Sequence, residues 1–80
     1  MSRAGDVVLV VARTLAGRPD EVTVEESERR GQLIIELSMA PGELGRIIGR
    51  QGRTAAAVRA LAAAAGELDG QRVVVDFRDE

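Results

Sequence analysis

Residues 32 to 39, QLIIELSM, set Leu33, Ile35, Leu37 and Met39 at every second position, with Ile34, Glu36 and Ser38 between them. A strand turns successive side chains to opposite faces, so this period of two predicts a strand with one strongly apolar side. An apolar sheet face must be covered, and in a chain of 80 residues the cover has to come from the few segments that remain. With no cysteine to staple a small core, the domain stands on packing or on a partner.

Those segments divide by period. Residues 21 to 27, EVTVEES, set Val22 and Val24 on one side of a half-buried strand. The polar stretch ERRG, residues 28 to 31, then predicts the turn of a hairpin with 32–39. Residues 71 to 78, QRVVVDFR, make a last strand with Val73, Val75 and Phe77 facing one way. Residues 6 to 16, DVVLVVARTLA, pull in two directions. Their β-branched residues favour a strand; their length, the Asp6 start signal and the stripe Val8, Val11, Ala12, Leu15 favour a helix. We read a helix, with Gly17 as its stop and Pro19 beyond it. A short helix is expected from Pro41 to Ile48, with Leu44, Ile47 and Ile48 inward and Glu43 complementing its dipole. A second runs from Arg53 to Ala65, with Val58, Leu61, Ala62 and Ala65 in register and Gly66 as stop. The order α-β-β-α-α-β predicts one α+β domain over residues 1–80, a three-stranded sheet with three helices on one face.

Composition narrows the chemistry. Without cysteine or histidine the chain has no zinc site built on them, no thiol nucleophile and no imidazole base. The carboxylates fall mostly on expected strand faces and turns, so no paired-acid pattern points to an enzyme. No cofactor or small-molecule substrate is expected. Residues 7 to 12, VVLVVA, are too short for a membrane span, and Arg3 alone does not make a signal-peptide start; a cytoplasmic protein is expected. The net charge is −2, yet residues 41 to 63 hold four arginines and one acid, a local +3. All eleven basic residues are arginine, whose planar fork suits phosphate.

That local charge surrounds glycines. Two G-x-x-G pairs occur, GELG at 42–45 and GRQG at 49–52. The first carries an acid and lies inside the expected short helix. The second lies between two helices, among Arg46, Arg50 and Arg53. Gly49 can end the first helix with a positive φ. Gly52, lacking a Cβ, lets a sugar-phosphate backbone come close. The next helix begins at once and offers unpaired N–H groups to an anion. A tight helix–helix turn would use the same glycines without binding anything.

RIIGRQGRTAAAVRAL resembles the signature of KH domains, an Ile-Ile-Gly-x-x-Gly segment joining two helices, and the element order is that of the bacterial, type II, arrangement. With PDEVTV, APGELGRIIGRQGR and RVVVDF, the resemblance runs nearly the whole chain and is to the KhpA family of small stand-alone KH proteins. It implies binding of single-stranded RNA, about four nucleotides clamped by their backbone at the loop. Carried over, Gly49, Arg50, Gln51 and Gly52 are the loop, flanked by Arg46 and Arg53. Ile47 and Ile48 are the aliphatic pair, one in the core and the other flooring a groove; which does which stays open. Ile34 or Ile35 would wall that groove. The resemblance also implies partners, as a homodimer or with a KhpB-type protein (also called Jag or EloR) in cell elongation and cell-shape control, the chain acting as a post-transcriptional regulator or RNA chaperone. Val58, Arg59, Leu61 and Ala62, in the alanine-rich helix, are the expected partner face.

Phe77 is the one aromatic residue and is expected in the core, so stacking platforms are missing and RNA binding should be loosely specific. The rival reading is a protein-interaction module with a vestigial KH loop.

Overall fold

The computed structural model describes residues 1–79. The elements are α1 (Arg3–Leu15), β1 (Thr23–Arg29), β2 (Gln32–Met39), α2 (Leu44–Ile48), α3 (Arg53–Leu68) and β3 (Arg72–Asp79), with 3₁₀ turns at Pro19–Glu21 and Arg50–Gly52. The sheet order is β1-β2-β3; β1 pairs antiparallel with β2, and β3 pairs parallel with β2. The expected α+β architecture, α-β-β-α-α-β, is present.

The alternation of β2 organises the interior. Leu33, Ile35, Leu37 and Met39 are buried on the helix side, while Ile34, Glu36 and Ser38 are only half-buried on the other. Ala4, Val8 and Ala12 of α1, Ile47 of α2, and Val58, Ala62 and Ala65 of α3 close over that face, with Val75 of β3 beneath. Parallel pairing of β2 with β3 requires a crossover, and α2, the loop and α3 supply it.

Several boundaries move, each for a local reason. Helix α1 starts at Arg3 rather than Asp6, because Ser2 caps it: Ser2 Oγ accepts from Gly5 N at 2.9 Å and donates to Glu26 Oε2 at 2.8 Å. Pro19 opens a 3₁₀ turn, which delays β1 to Thr23. The hairpin turn is only Arg30–Gly31, with φ +51° and +80°, the signs of a type I′ turn, so Arg29 belongs to the strand. Pro41 and Gly42 are outside the short helix. They are the centre of a type II turn closed by Glu43 N–H to Ala40 O at 3.0 Å, with Gly42 at φ +83°. Gly66 does not stop α3. The helix runs two residues further and ends in a Schellman motif, Gln71 N–H to Gly66 O and Gly70 N–H to Glu67 O.

Candidate nucleic-acid interface

Helix α2 is little more than one turn long and ends at Ile48. The chain then reverses in four residues, three of them at positive φ. Gly49 has φ 73° and ψ 177°, a region essentially confined to glycine. Gln51 (φ 55°, ψ 26°) and Gly52 (φ 72°, ψ 13°) are both left-handed, and Arg53 N–H donates to Arg50 O. Residues 50–53 are therefore a type I′ turn with Gln51 and Gly52 at its centre.

The two glycines serve different ends. A Cβ on Gly49 would collide with the Thr54 side chain, its Cβ 2.8 Å away, so Gly49 lets the end of α2 lie against the start of α3. A Cβ on Gly52 would meet nothing within 4 Å; Gly52 leaves open space above the turn. Helix α3 starts there with no side-chain cap and no acid in its first turn. Apart from Arg53 N–H, which Arg50 O accepts, its first N–H groups are thus available to an anion from solvent, on the positive end of the dipole.

The cations surround this opening. Arg46, Arg50 and Arg53 are all exposed. Arg50 has no side-chain partner among the described residues. Arg53 donates to Gln51 Oε1 at 3.0 Å, so the loop orders its own donors. Arg46 is tied through Nε to Glu43 Oε2 at 3.2 Å.

Glu43 holds more than Arg46. Its carboxylate also accepts from Gly17 N at 2.9 Å and Arg18 N at 2.9 Å, and its side chain is only 12 % exposed. These contacts add to the reading of Glu43 as a dipole partner, since it stands at the N-cap of α2. It latches the end of α1 to the start of α2, and Gly17 is glycine because a Cβ there would press on Glu43 Oε2 at 2.5 Å. Gly17 is not the stop of α1; Ala16 is the C-cap, in extended backbone.

The structure brings Arg46, Ile48, Gly49, Arg50, Gln51, Gly52 and Arg53 together and half-buries Ile48. It removes the other expected wall residues. Ile47 and Ile35 are 0 % exposed and belong to the core, and Ile34 lies on the sheet face away from the helices. The expected partner face splits in the same way: Val58 and Ala62 are buried against the sheet, while Arg59 and Leu61 are exposed. Sequence reasoning did not find the pairing of Arg59 with Phe77. The guanidinium lies 4.7 Å from the ring centroid and donates to Val75 O at 3.4 Å, on the edge of β3. A lone aromatic two residues from the end of an edge strand is the signal that pointed there.

A βααβ core whose two helices meet at a glycine-bracketed, basic turn, preceded by a helix and a strand, is a KH domain of type II. The family model for the KhpA/KhpB KH domain matches residues 5–77. The RNA-binding protein KhpA of Caldanaerobacter subterraneus is 42 % identical over 73 residues, 91 % of this chain and 97 % of that protein. KhpA of Aquifex aeolicus is 42 % identical over 77 residues, 96 % and 98 % of the two chains. The chain belongs to the KhpA/KhpB KH-domain family.

Proposed function

We propose that this chain binds single-stranded RNA by its sugar-phosphate backbone at the turn Gly49–Gly52, with little preference for sequence. The observation that carries the reading is the open space over Gly52 beside an uncapped helix start and an unpartnered Arg50. Phosphate oxygens accept from the N–H groups of Arg50 and Gln51 and from those past Arg53 in the first turn of α3, while Arg46, Arg50 and Arg53 supply charge. Ile48, half-exposed beside the turn, offers an aliphatic contact to a base. Such contacts fix a strand's position without reading it. Relatives that share most of this chain are named RNA-binding proteins, which supports the same substrate.

The test is the pair Arg50→Asp with Gln51→Asp. Affinity for a labelled RNA oligonucleotide should fall by about tenfold or more, roughly 1.4 kcal/mol. The slope of log K against log salt should become shallower by about 0.7 for each phosphate no longer neutralised. Unchanged affinity with an unchanged circular dichroism spectrum removes the turn from the mechanism.

The rival role, association with protein, has its own observation. Leu61 is 52 % and Leu68 75 % exposed on α3, among exposed alanines. Arg59 and Leu61, not Val58 and Ala62, then form the partner face. We take this as an addition to RNA binding: a homodimer, or a heterodimer with a KhpB-type protein, acting on RNA in the cytoplasm in cell-shape control. A module this small gains stability and avidity by pairing. No helix among the described residues is long and apolar enough to cross a membrane.

A further inference from the structure

Most of the acid-paired arginines lie apart from one another: Arg3 with Asp69, Arg18 with Glu21, Arg46 with Glu43 and Arg78 with Glu36. Of the seven arginines without such a pair among the described residues, Arg13 stands alone on α1 and Arg59 lies over Phe77, and the other five gather in two places. Arg50 and Arg53 are on the glycine turn. Arg29, Arg30 and Arg72 lie together at the other end of the molecule.

The register makes the second group a surface. Arg29 pairs with Gln32, and Gln32 with Arg72, so the three form one row across all three strands. At about 4.8 Å between strands the outer two backbones are roughly 10 Å apart, a spacing that can hold one RNA strand between two cations. Leu33 and Val73, the next residues, face the helices, which turns Arg29 and Arg72 to the opposite face. Arg30 sits at the hairpin tip. The following row on this face, Ser27, Ile34 and Val74, is uncharged, with Ile34 and Val74 half-buried.

The acids on this face lie further along the strands, and Glu28, exposed beside Arg29, pairs with Leu33 and is turned to the helix side. Glu25, Glu36 and Asp76 form the row four residues along the strands, about 13 Å from Arg29 and Arg72, beyond a Debye length of about 8 Å. Arg78 already engages Glu36. Glu67 lines a pocket of about 260 Å³ with Gln32 and Arg72 but makes no ion pair with Arg72.

We propose that this row is a second contact surface for single-stranded RNA. Arg29, Arg30 and Arg72 take phosphates, and Ile34 and Val74 give aliphatic ground to a base. The occupant follows from charge complementarity with a polyanion and rests on the RNA reading above. The two surfaces are separated by the length of α3, 16 residues or about 24 Å. A strand long enough to reach both gains avidity, and a short one does not.

The experiment compares a uridine pentamer with a uridine 20-mer on two charge variants, and adds Ile34→Ala with the 20-mer. One is Arg29→Gln, Arg30→Asn, Arg72→Gln; asparagine suits the left-handed turn position, so the hairpin should keep its shape. The other is the Arg50→Asp, Gln51→Asp turn variant. For the row variant, 20-mer affinity should drop about tenfold, with a salt slope shallower by about 1.4–2.1 as two or three phosphates go unneutralised. Its pentamer affinity should drop less. Ile34→Ala should weaken 20-mer binding with no change in slope. Wild-type 20-mer affinity and slope in the row variant, beside a loss in the turn variant, overturn this proposal and leave the turn reading standing. Loss only in the row variant supports the row and overturns the turn; loss in neither overturns both.

Discussion

At Gly49 a single backbone conformation decides whether α2 can hand over to α3. Its ψ of 177° excludes side chains that a plain left-handed residue would tolerate, and the Thr54 side chain fills the space a Cβ would need. Gly49→Ala should therefore cost roughly 1–3 kcal/mol in urea unfolding. Gly52→Ala, with nothing within 4 Å, meets only the left-handed penalty of about 1–2 kcal/mol and should fall at the low end. Equal losses at the two positions would mean that Thr54 yields and the packing argument fails. Glu43 makes a second residue-scale case. Glu43→Gln keeps the shape but leaves one of the Gly17 and Arg18 N–H groups facing an amide N–H₂, and it releases Arg46. A loss of about 1–3 kcal/mol in thermal unfolding is expected; a silent substitution would remove the latch. Both glycines of the turn were legible as a motif. The latch was not, because Gly17 and Glu43 are 26 positions apart and nothing local couples them.

Among the elements, β2 and α3 show what a period can and cannot say. The alternation in β2 named its inward side correctly, yet it could not choose which of Ile34 and Ile35 would border a binding surface. The structure places Ile35 in the core and Ile34 on the far face. Ile35→Ala should cost about 2–5 kcal/mol, as core truncations do, and Ile34→Ala clearly less; the two urea midpoints check it. Helix α3 has the complementary ambiguity. A helix rich in alanine has a weak apolar stripe, so Val58, Leu61 and Ala62 all read as one face. In the fold Val58 and Ala62 turn inward, and Leu61, a quarter-turn or so around, stays in water. Helix boundaries failed where a second cap signal competed, as Ser2 with Asp6 at the start of α1, or where glycine serves packing, as Gly66 does against Val73 and Gln71.

For the whole molecule, the arrangement puts the glycine turn at one end of α3 and the hairpin tip beside the other, on opposite sides of a small core. With so little interior, association should register as stability. Sedimentation at micromolar concentration should find dimer, and the melting temperature should rise with protein concentration. Leu61→Glu should shift both toward monomer while changing the monomer's own stability by no more than about 0.5 kcal/mol. A concentration-independent monomer would remove the exposed face of α3 as an interface.

The amino-acid sequence by itself determined the element types, their order, the inward side of each strand and the turn at 49–52. These follow from short-range rules: the two-residue and 3.6-residue periods, and the backbone freedom of glycine. Only the tertiary structure decided which of Ile47 and Ile48 is core, which side of α3 meets water, what Glu43 grips, and that Arg29, Arg30 and Arg72 share a surface. Those depend on strand register and helix rotation, which bring together residues tens of positions apart, and no local preference encodes such distances.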